Sequence, residues 1–279
     1  MSSAIFLMVL ASAAGHAAWN FAARRASGDF GVLWVGLCAA ALVGAPLAWA
    51  TADAATARVL PLLAASSAVN ALYFAALAAA YERGELSEVY PATRGSGVLW
   101  SALASRLLLG ERLGRLGAAG IACVCAGLWL ARRPAGEAGD KEGALPFALA
   151  AGVCIGAAGL IDKVAMRAAG PGAYLVGLFA GAALFSAPYA WLRRGEECRR
   201  ALRSRKALSA LIGVASMASY GLILAAFRAA PLGLVAALRE SSLLFGVALG
   251  VAFLGERLTL RRAAGVAVLT GGLALIRMV

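Results

Sequence analysis

The pentapeptide Leu-Gly-Glu-Arg-Leu at positions 109–113 occurs a second time, unchanged, at positions 254–258. Further residues match at the same separation of 145 positions: Arg94 with Arg239, Ser96 with Ser241, Gly120 with Gly265, and Gly127 with Gly272. Matches at one fixed separation are the sequence signature of a duplicated structural unit. We therefore predict two related halves, residues 1–133 and 144–279, joined by a linker at 134–143.

The composition is typical of a membrane protein. Hydrophobic residues make up 62% of the 279 positions and charged residues 14%, whereas soluble proteins are about half apolar and about a quarter charged. The apolar runs are continuous, which disfavours the alternating strands of a membrane barrel, and a spanning helix needs about 20 such residues. We expect ten helices, near residues 4–23, 30–50, 59–80, 86–109, 113–130, 145–167, 173–192, 208–227, 232–254 and 262–279. The predicted fold class is an all-α polytopic membrane protein.

The odd number of helices in each half has a topological consequence. With five helices per half, the second half enters the membrane from the opposite side, so the two halves are inverted. Inverted repeats around one site near the bilayer midplane are the architecture of many secondary transporters. We expect ten transmembrane helices in two inverted five-helix repeats around a central cavity.

The net charge of +12 comes from Arg and Lys residues that lie mostly between the apolar runs. Such positions indicate contacts with lipid headgroups and a topology signal rather than nucleic-acid binding. The chain has one histidine and shows no metal-ligand cluster, acidic pair at helical spacing or phosphate-binding glycine loop. We therefore expect no enzyme activity, no cofactor and no metal, with an intramembrane enzyme as an alternative.

Two motifs resemble a known family. Gly-His-Ala-Ala-Trp-Asn-Phe at positions 15–21, and the repeated Leu-Gly-Glu-Arg-Leu before a glycine-bearing helix, resemble the ten-helix, two-repeat, EamA-like branch of the drug/metabolite transporter superfamily. Within it, the chain resembles bacterial amino-acid exporters of the YddG type. The resemblance implies a basket of ten helices around a central cavity, alternating access, and export of aromatic and other neutral amino acids across the bacterial inner membrane.

Orientation and substrate class stay open in part. The resemblance implies cytoplasmic termini, whereas the excess of Arg and Lys on the opposite side, much of it in a loop at 193–206, places the termini outside. The four-helix relatives carry a first-helix glutamate that this chain lacks, which disfavours a cationic-drug transporter. Efflux of other small metabolites or drugs is the alternative function. We expect a monomer in lipid whose partner is the transported amino acid.

Polar and aromatic residues recur at helical spacing inside several apolar runs. Such groups are costly in lipid and often line substrate pathways, or else they satisfy one another between helices. The candidates for a cavity wall are Ser12, His16, Trp19 and Asn20 in the first helix, Asn70 and Tyr73 in the third, Tyr90 in the fourth, and Ser216 and Tyr220 in the eighth.

Charged residues inside apolar runs are the most specific candidates. Arg94 and Arg239, at equivalent repeat positions, could clamp a substrate carboxylate; the alternatives are an intramembrane ion pair or a position near the interface. Asp162 is a candidate proton or ammonium site, or else a residue near a helix end that reaches water. Glu111 and Glu256 are expected to cap helix turns, where negative charge is favoured.

Overall fold

Helices dominate the computed structural model of this chain, which describes residues 1–25, 29–84, 86–131, 143–255 and 258–279. The twelve described helices are α1 (Ser3–Arg25), α2 (Phe30–Thr51), α3 (Ala54–Arg58), α4 (Leu60–Arg83), α5 (Leu86–Leu107), α6 (Gly114–Leu130), α7 (Ala144–Ala168), α8 (Pro171–Ser204), α9 (Lys206–Phe227), α10 (Leu232–Arg239), α11 (Ser242–Leu254) and α12 (Leu260–Arg277). These ranges contain no β-strand. The predicted all-α class is confirmed.

Among the described residues, seven helical segments are long and apolar enough to cross a membrane, namely those of α1, α2, α4, α7, α8, α9, and α10 with α11. The apolar helix α6 is shorter, with 17 residues. Large apolar side chains face outward, as at Leu42, Leu184 and Leu211, whereas Asp162 and Glu240 are buried. This distribution is the reverse of that in soluble proteins, and it identifies a multi-pass membrane protein.

Helices from the two halves of the chain pack against each other. Both α4 and α5 contact α7, while α9 and the α10–α11 pair contact α1. Helix α2 contacts α9, and α8 contacts α4; in addition α2 packs on α8, α5 on α10, and α6 on α12. Exchanging α1 with α7, α2 with α8, α4 with α9, α5 with α10–α11, and α6 with α12 leaves this set of contacts unchanged.

The crossing of α6 and α12 depends on four glycines that the sequence matches at the fixed separation. A Cβ added at Gly120 would lie 2.8 Å from the carbonyl oxygen of Gly272, and one added at Gly127 would lie 2.7 Å from that of Gly265. Glycines allow this close backbone approach between helices in lipid. Each contact therefore joins one glycine from each half of the chain.

One predicted loop is wrong, and one predicted helix keeps its ends but is interrupted. The segment 193–206, expected as a loop, is mostly helical: α8 continues to Ser204 through a kink at Arg194. The kinked end is fixed to the start of α2, because Glu197 binds Arg194 at 3.1 Å and accepts from the Phe30 backbone N–H at 2.9 Å. The ninth predicted helix is interrupted between α10 and α11. The predicted linker, apart from Gly143, and Glu256 lie outside the described residues.

Replacing Gly127 by alanine should destabilise the protein by about 1–3 kcal/mol, the usual cost of overpacking, because the new methyl group would meet the backbone of α12. Gly246→Ala is the matched control, since a Cβ there has no neighbour within 4 Å. The measurement is thermal unfolding of the detergent-solubilised protein, followed by size-exclusion chromatography. Equal melting temperatures for the two variants would contradict the packing argument.

Candidate functional site

Arg94 of α5 and Glu240, directly after α10, form a buried ion pair. Arg94 Nε donates to Glu240 Oε2 at 3.0 Å, and Arg94 Nη2 donates to Glu240 Oε1 at 2.6 Å. The two side chains are only 8% and 3% exposed. Such a two-point pair is strong and fixes orientation. Both donors of Arg94 therefore bond the protein itself, which corresponds to the predicted alternative of an intramembrane ion pair.

The ion pair lies at the interruption of the ninth predicted helix. The N–H groups of Glu240 and Ser241 donate to carbonyls three residues earlier, at 3.1 and 3.0 Å, rather than four. A tight turn of this type within a helix often marks a functional position. Here Glu240 contacts Arg94, while its neighbour Arg239 contacts Tyr220.

Arg239 is partly buried and lies against an aromatic ring. Its guanidinium carbon is 5.3 Å from the centroid of the Tyr220 ring, a favourable cation–π distance. Its Nε atom is buried and has no hydrogen-bond partner among the described residues. A buried donor without a partner costs about 1–3 kcal/mol, so a ligand that brings an acceptor to Arg239 would recover this energy.

Asp162 lies fully buried in α7 between two tyrosines. Tyr174 of α8 donates to Asp162 Oδ1 at 2.7 Å, and Tyr220 of α9 donates to Oδ2. The alternative that Asp162 is near a helix end and reaches water is therefore wrong. Tyr220 contacts both Asp162 and Arg239, so it connects these two candidate residues.

The predicted stripe on α1 contains both satisfied and unsatisfied groups. Ser12 donates to the carbonyl of Ser219 on α9 at 2.7 Å, and Asn20 donates to the His16 carbonyl of its own helix at 2.8 Å. The rings of His16 and Trp19 are perpendicular, 4.9 Å apart. The Trp19 Nε1 atom is buried without a partner, and it is a second donor that a ligand could use.

The remaining candidates lie around the arginines or beside them. His16, Tyr73 and Tyr90 each lie within electrostatic range of both Arg94 and Arg239. Asn70 donates to the Ser66 carbonyl of its own helix at 2.9 Å, and Ser216 is partly buried on α9, one turn before Tyr220. Neither Asn70 nor Ser216 has a described contact with an arginine, so the arginine cluster does not include them.

A small cavity opens beside these charges. Its polar wall includes Arg94, Tyr220 and Arg239, and its apolar wall includes Ile155, Phe227 and Leu232. Ligand sites commonly combine an apolar lining with a few fixed polar groups. The cavity thus suits a small molecule with an anionic end and an apolar body.

Glu111 caps a helix, but not the helix of its own turn. Its carboxylate accepts from the Leu232 backbone N–H at 2.8 Å, at the start of α10, and lies 3.2 Å from Lys163 Nζ. The nearby helix α6 has no side-chain cap. Lys163 also donates to the carbonyls of Phe227 and Ala230. Glu111 therefore ties the α5–α6 turn to two helices of the second half, beside the cavity residues Phe227 and Leu232.

Sequence reasoning did not predict Glu240 as the partner of Arg94 or Tyr174 as a partner of Asp162. It also missed the contact between Glu111 and Lys163. Glu240 follows Arg239 within an apolar run, and this feature could have marked it as a candidate. Nothing in the sequence pairs Glu240 with a residue 146 positions away. The position of Tyr174, in the first turn of α8, was equally uninformative.

Comparisons with known proteins agree with this architecture. The EamA-like transporter family matches residues 143–278, so the second half of the chain is similar to that family. A solved crystal structure aligns with 100% of this chain and 98% of its own, with a TM-score of 0.75 and 18% sequence identity. At that identity the likeness shows the fold alone. A search of curated proteins gave no match.

Removing one member of the Arg94–Glu240 pair should destabilise the protein more than removing both. A single Glu240→Leu change leaves Arg94 buried without its carboxylate, which typically costs about 3–5 kcal/mol. The double variant Arg94→Leu, Glu240→Leu should recover most of this loss. Thermal unfolding of the wild type, both single variants and the double variant measures the coupling, and additive losses would contradict it.

Proposed function

We propose that this protein, whose residues 143–278 carry an EamA-like transporter domain, is a secondary transporter that exports aromatic and other neutral amino acids by alternating access. At the coarser level, the family suggests a membrane transporter of small substrates, which is consistent with a protein that is not an enzyme. The export direction and the amino-acid substrate come from the sequence resemblance. The site geometry supports the substrate class independently.

The main observation behind this proposal is the Arg239 Nε–H, which lies unpaired beside a cavity with an apolar wall. The Nε donor is buried without an acceptor, and a substrate carboxylate would supply one in charge-assisted form. Trp19 Nε1 is a second unpaired donor. Trp19 contacts His16, which lies within electrostatic range of Arg239. Two donors without acceptors favour a ligand rich in acceptor oxygens.

The two arginines at equivalent repeat positions then have different roles. Arg94 is held by Glu240 and fixes the interrupted helix, whereas Arg239 receives the substrate carboxylate. The apolar wall, with Ile155, Phe227 and Leu232, accepts an uncharged side chain. One available arginine is suited to one carboxylate, which favours neutral over dicarboxylic amino acids.

Alternating access requires two related bodies, and the packing supports such a division. The main contacts between the two halves stay unchanged when the helices of one half are exchanged for those of the other, and the glycine contacts at the α6–α12 crossing obey the same exchange. We propose ten transmembrane helices in two inverted repeats, residues 1–133 and 144–279. Rocking of these repeats would expose the cavity to each side in turn.

The remaining assignments follow from this function. We place the protein in the bacterial inner membrane as a monomer, with lipid around it, amino acids as substrates and no nucleic-acid partner. The further candidates for the cavity wall are His16, Asn20, Asn70, Tyr73, Tyr90 and Ser216. Efflux of other small metabolites or drugs is the alternative, but the cluster of Arg94 and Arg239 disfavours a cation.

Counterflow in proteoliposomes tests the proposal. Labelled phenylalanine and leucine should exchange, whereas phenethylamine, which lacks the carboxylate, should not compete. Arg239→Gln should lower exchange about 10- to 100-fold, because losing a hydrogen bond to a charged group costs about 1.5–3 kcal/mol. Trp19→Ala and Asn70→Ala should lower exchange by smaller factors.

Arg58→Gln is the matched control, because Arg58 lies at the exposed end of α3 and bonds only its own helix, at Ala54. It should exchange like the wild type. Absence of exchange for every amino acid tested, or wild-type exchange by Arg239→Gln, would refute the proposed function. Competition by phenethylamine equal to that by phenylalanine would favour the alternative substrates.

A further inference from the structure

Asp162 differs from the other buried acidic residues in the groups around it. Glu240 is paired with Arg94 and Glu111 with Lys163, and the Asp29 carboxylate lies 3.8 Å from Arg200. Among the described residues, the groups that bond the Asp162 carboxylate are hydroxyls: Tyr174 and Tyr220. Its side chain is completely buried. An intramembrane carboxylate without a cationic partner is expensive and typical of ion or proton pathways.

A shell of hydroxyls suits both protonation states of a carboxyl group. A hydroxyl can donate to a carboxylate and can also accept from a protonated carboxyl. The Ser66 hydroxyl of α4 also lies beside Asp162, so a protonated carboxyl has an acceptor close at hand. Each carboxylate oxygen accepts from one tyrosine, and the complete burial of the side chain separates it from a substrate ammonium group.

The charge that acts on Asp162 is that of Arg239, the arginine proposed to bind the substrate carboxylate. The helices packed against α7 present Tyr220 from α9, Arg239 from α10 and the Ser66 hydroxyl from α4, and Tyr174 of α8 donates to Asp162. On α5, Arg94 is already neutralised by Glu240. Tyr220 donates to Asp162 and stacks on Arg239, so one residue joins the two sites.

We infer that Asp162 is a proton-binding site, and that it takes up a proton when a substrate carboxylate binds Arg239. The positive charge of Arg239 favours the ionised form of Asp162. A carboxylate at Arg239 cancels that charge, so the ionised form loses its support and the proton affinity rises. By linkage, protonation of Asp162 in turn strengthens substrate binding by the same factor.

This inference rests on the proposed function of Arg239 and adds its coupling. Because proton and substrate bind together, they occupy the same conformations and cross the membrane in the same direction. An outward gradient of the amino acid would then drive export together with a proton. A competing arrangement, in which the substrate displaces the proton, would give exchange of the two in opposite directions.

Isothermal titration of the whole protein with phenylalanine, in phosphate and in Tris buffer, measures substrate binding and proton uptake separately. Proton uptake by the protein makes the observed heat depend on the ionisation enthalpy of the buffer. We expect uptake of up to about one proton per substrate, and an affinity that falls by at most about tenfold per pH unit as pH rises. In Asp162→Asn, binding should persist with equal heats in both buffers.

Asp53→Asn is the matched control. Asp53 is exposed. Its carboxyl accepts a hydrogen bond from the Thr56 backbone N–H, and this bond lowers the pKa of the carboxyl. The control should keep the wild-type proton uptake. Equal heats in both buffers for the wild type, proton release, or unchanged uptake in Asp162→Asn would overturn the inference while leaving the proposed function intact.

Absence of binding by any amino acid would count against the proposed function instead. An infrared measurement then tests Asp162 without a ligand. The pH-difference spectrum of the wild type should contain a protonated-carboxyl C=O band that is missing in Asp162→Asn and present in Asp53→Asn. If the wild type and Asp162→Asn show the same protonated-carboxyl bands, Asp162 does not exchange a proton.

Discussion

The buried contact between Arg94 and Glu240 is the interaction on which the rest of the site depends. It joins α5 to the interruption between α10 and α11, in a region where no water replaces a missing partner. The pair satisfies one of two closely placed arginines and fixes the turn that carries the other. Arg239 can therefore face Tyr220 and the cavity with its Nε atom unpaired. Without Glu240, two like charges would lie in the same buried region.

Three acidic residues, Glu240, Glu111 and Asp162, have different partners. Glu240 holds an arginine, Glu111 holds the start of α10 and Lys163, and Asp162 is surrounded by hydroxyls. The first two are each paired with a cation, so we regard their contacts as structural. The contact of Glu111 also crosses between the two halves of the chain beside Phe227 and Leu232, residues of the cavity wall.

Much of the architecture could be predicted, because lipid imposes a simple rule. Every backbone polar group must be satisfied within the chain, so continuous apolar runs become helices. The fixed separation of 145 positions also identified glycines whose real importance is their contact with each other at the α6–α12 crossing. The failures occurred where local rules do not apply: the helical extension of α8 is held by Glu197 and the start of α2, and the ninth helix is interrupted at Glu240.

The sequence by itself determined the membrane class, the helical runs, the repeat and the unusual charged residues Arg94, Arg239 and Asp162, because composition, periodicity and repetition are properties of the chain alone. Only the tertiary structure decided which arginine is paired, which acid is surrounded by hydroxyls, and which helix Glu111 caps. These outcomes depend on contacts between residues 12 to 146 positions apart. In a buried environment the partner of a charge, rather than the charge itself, sets its chemistry.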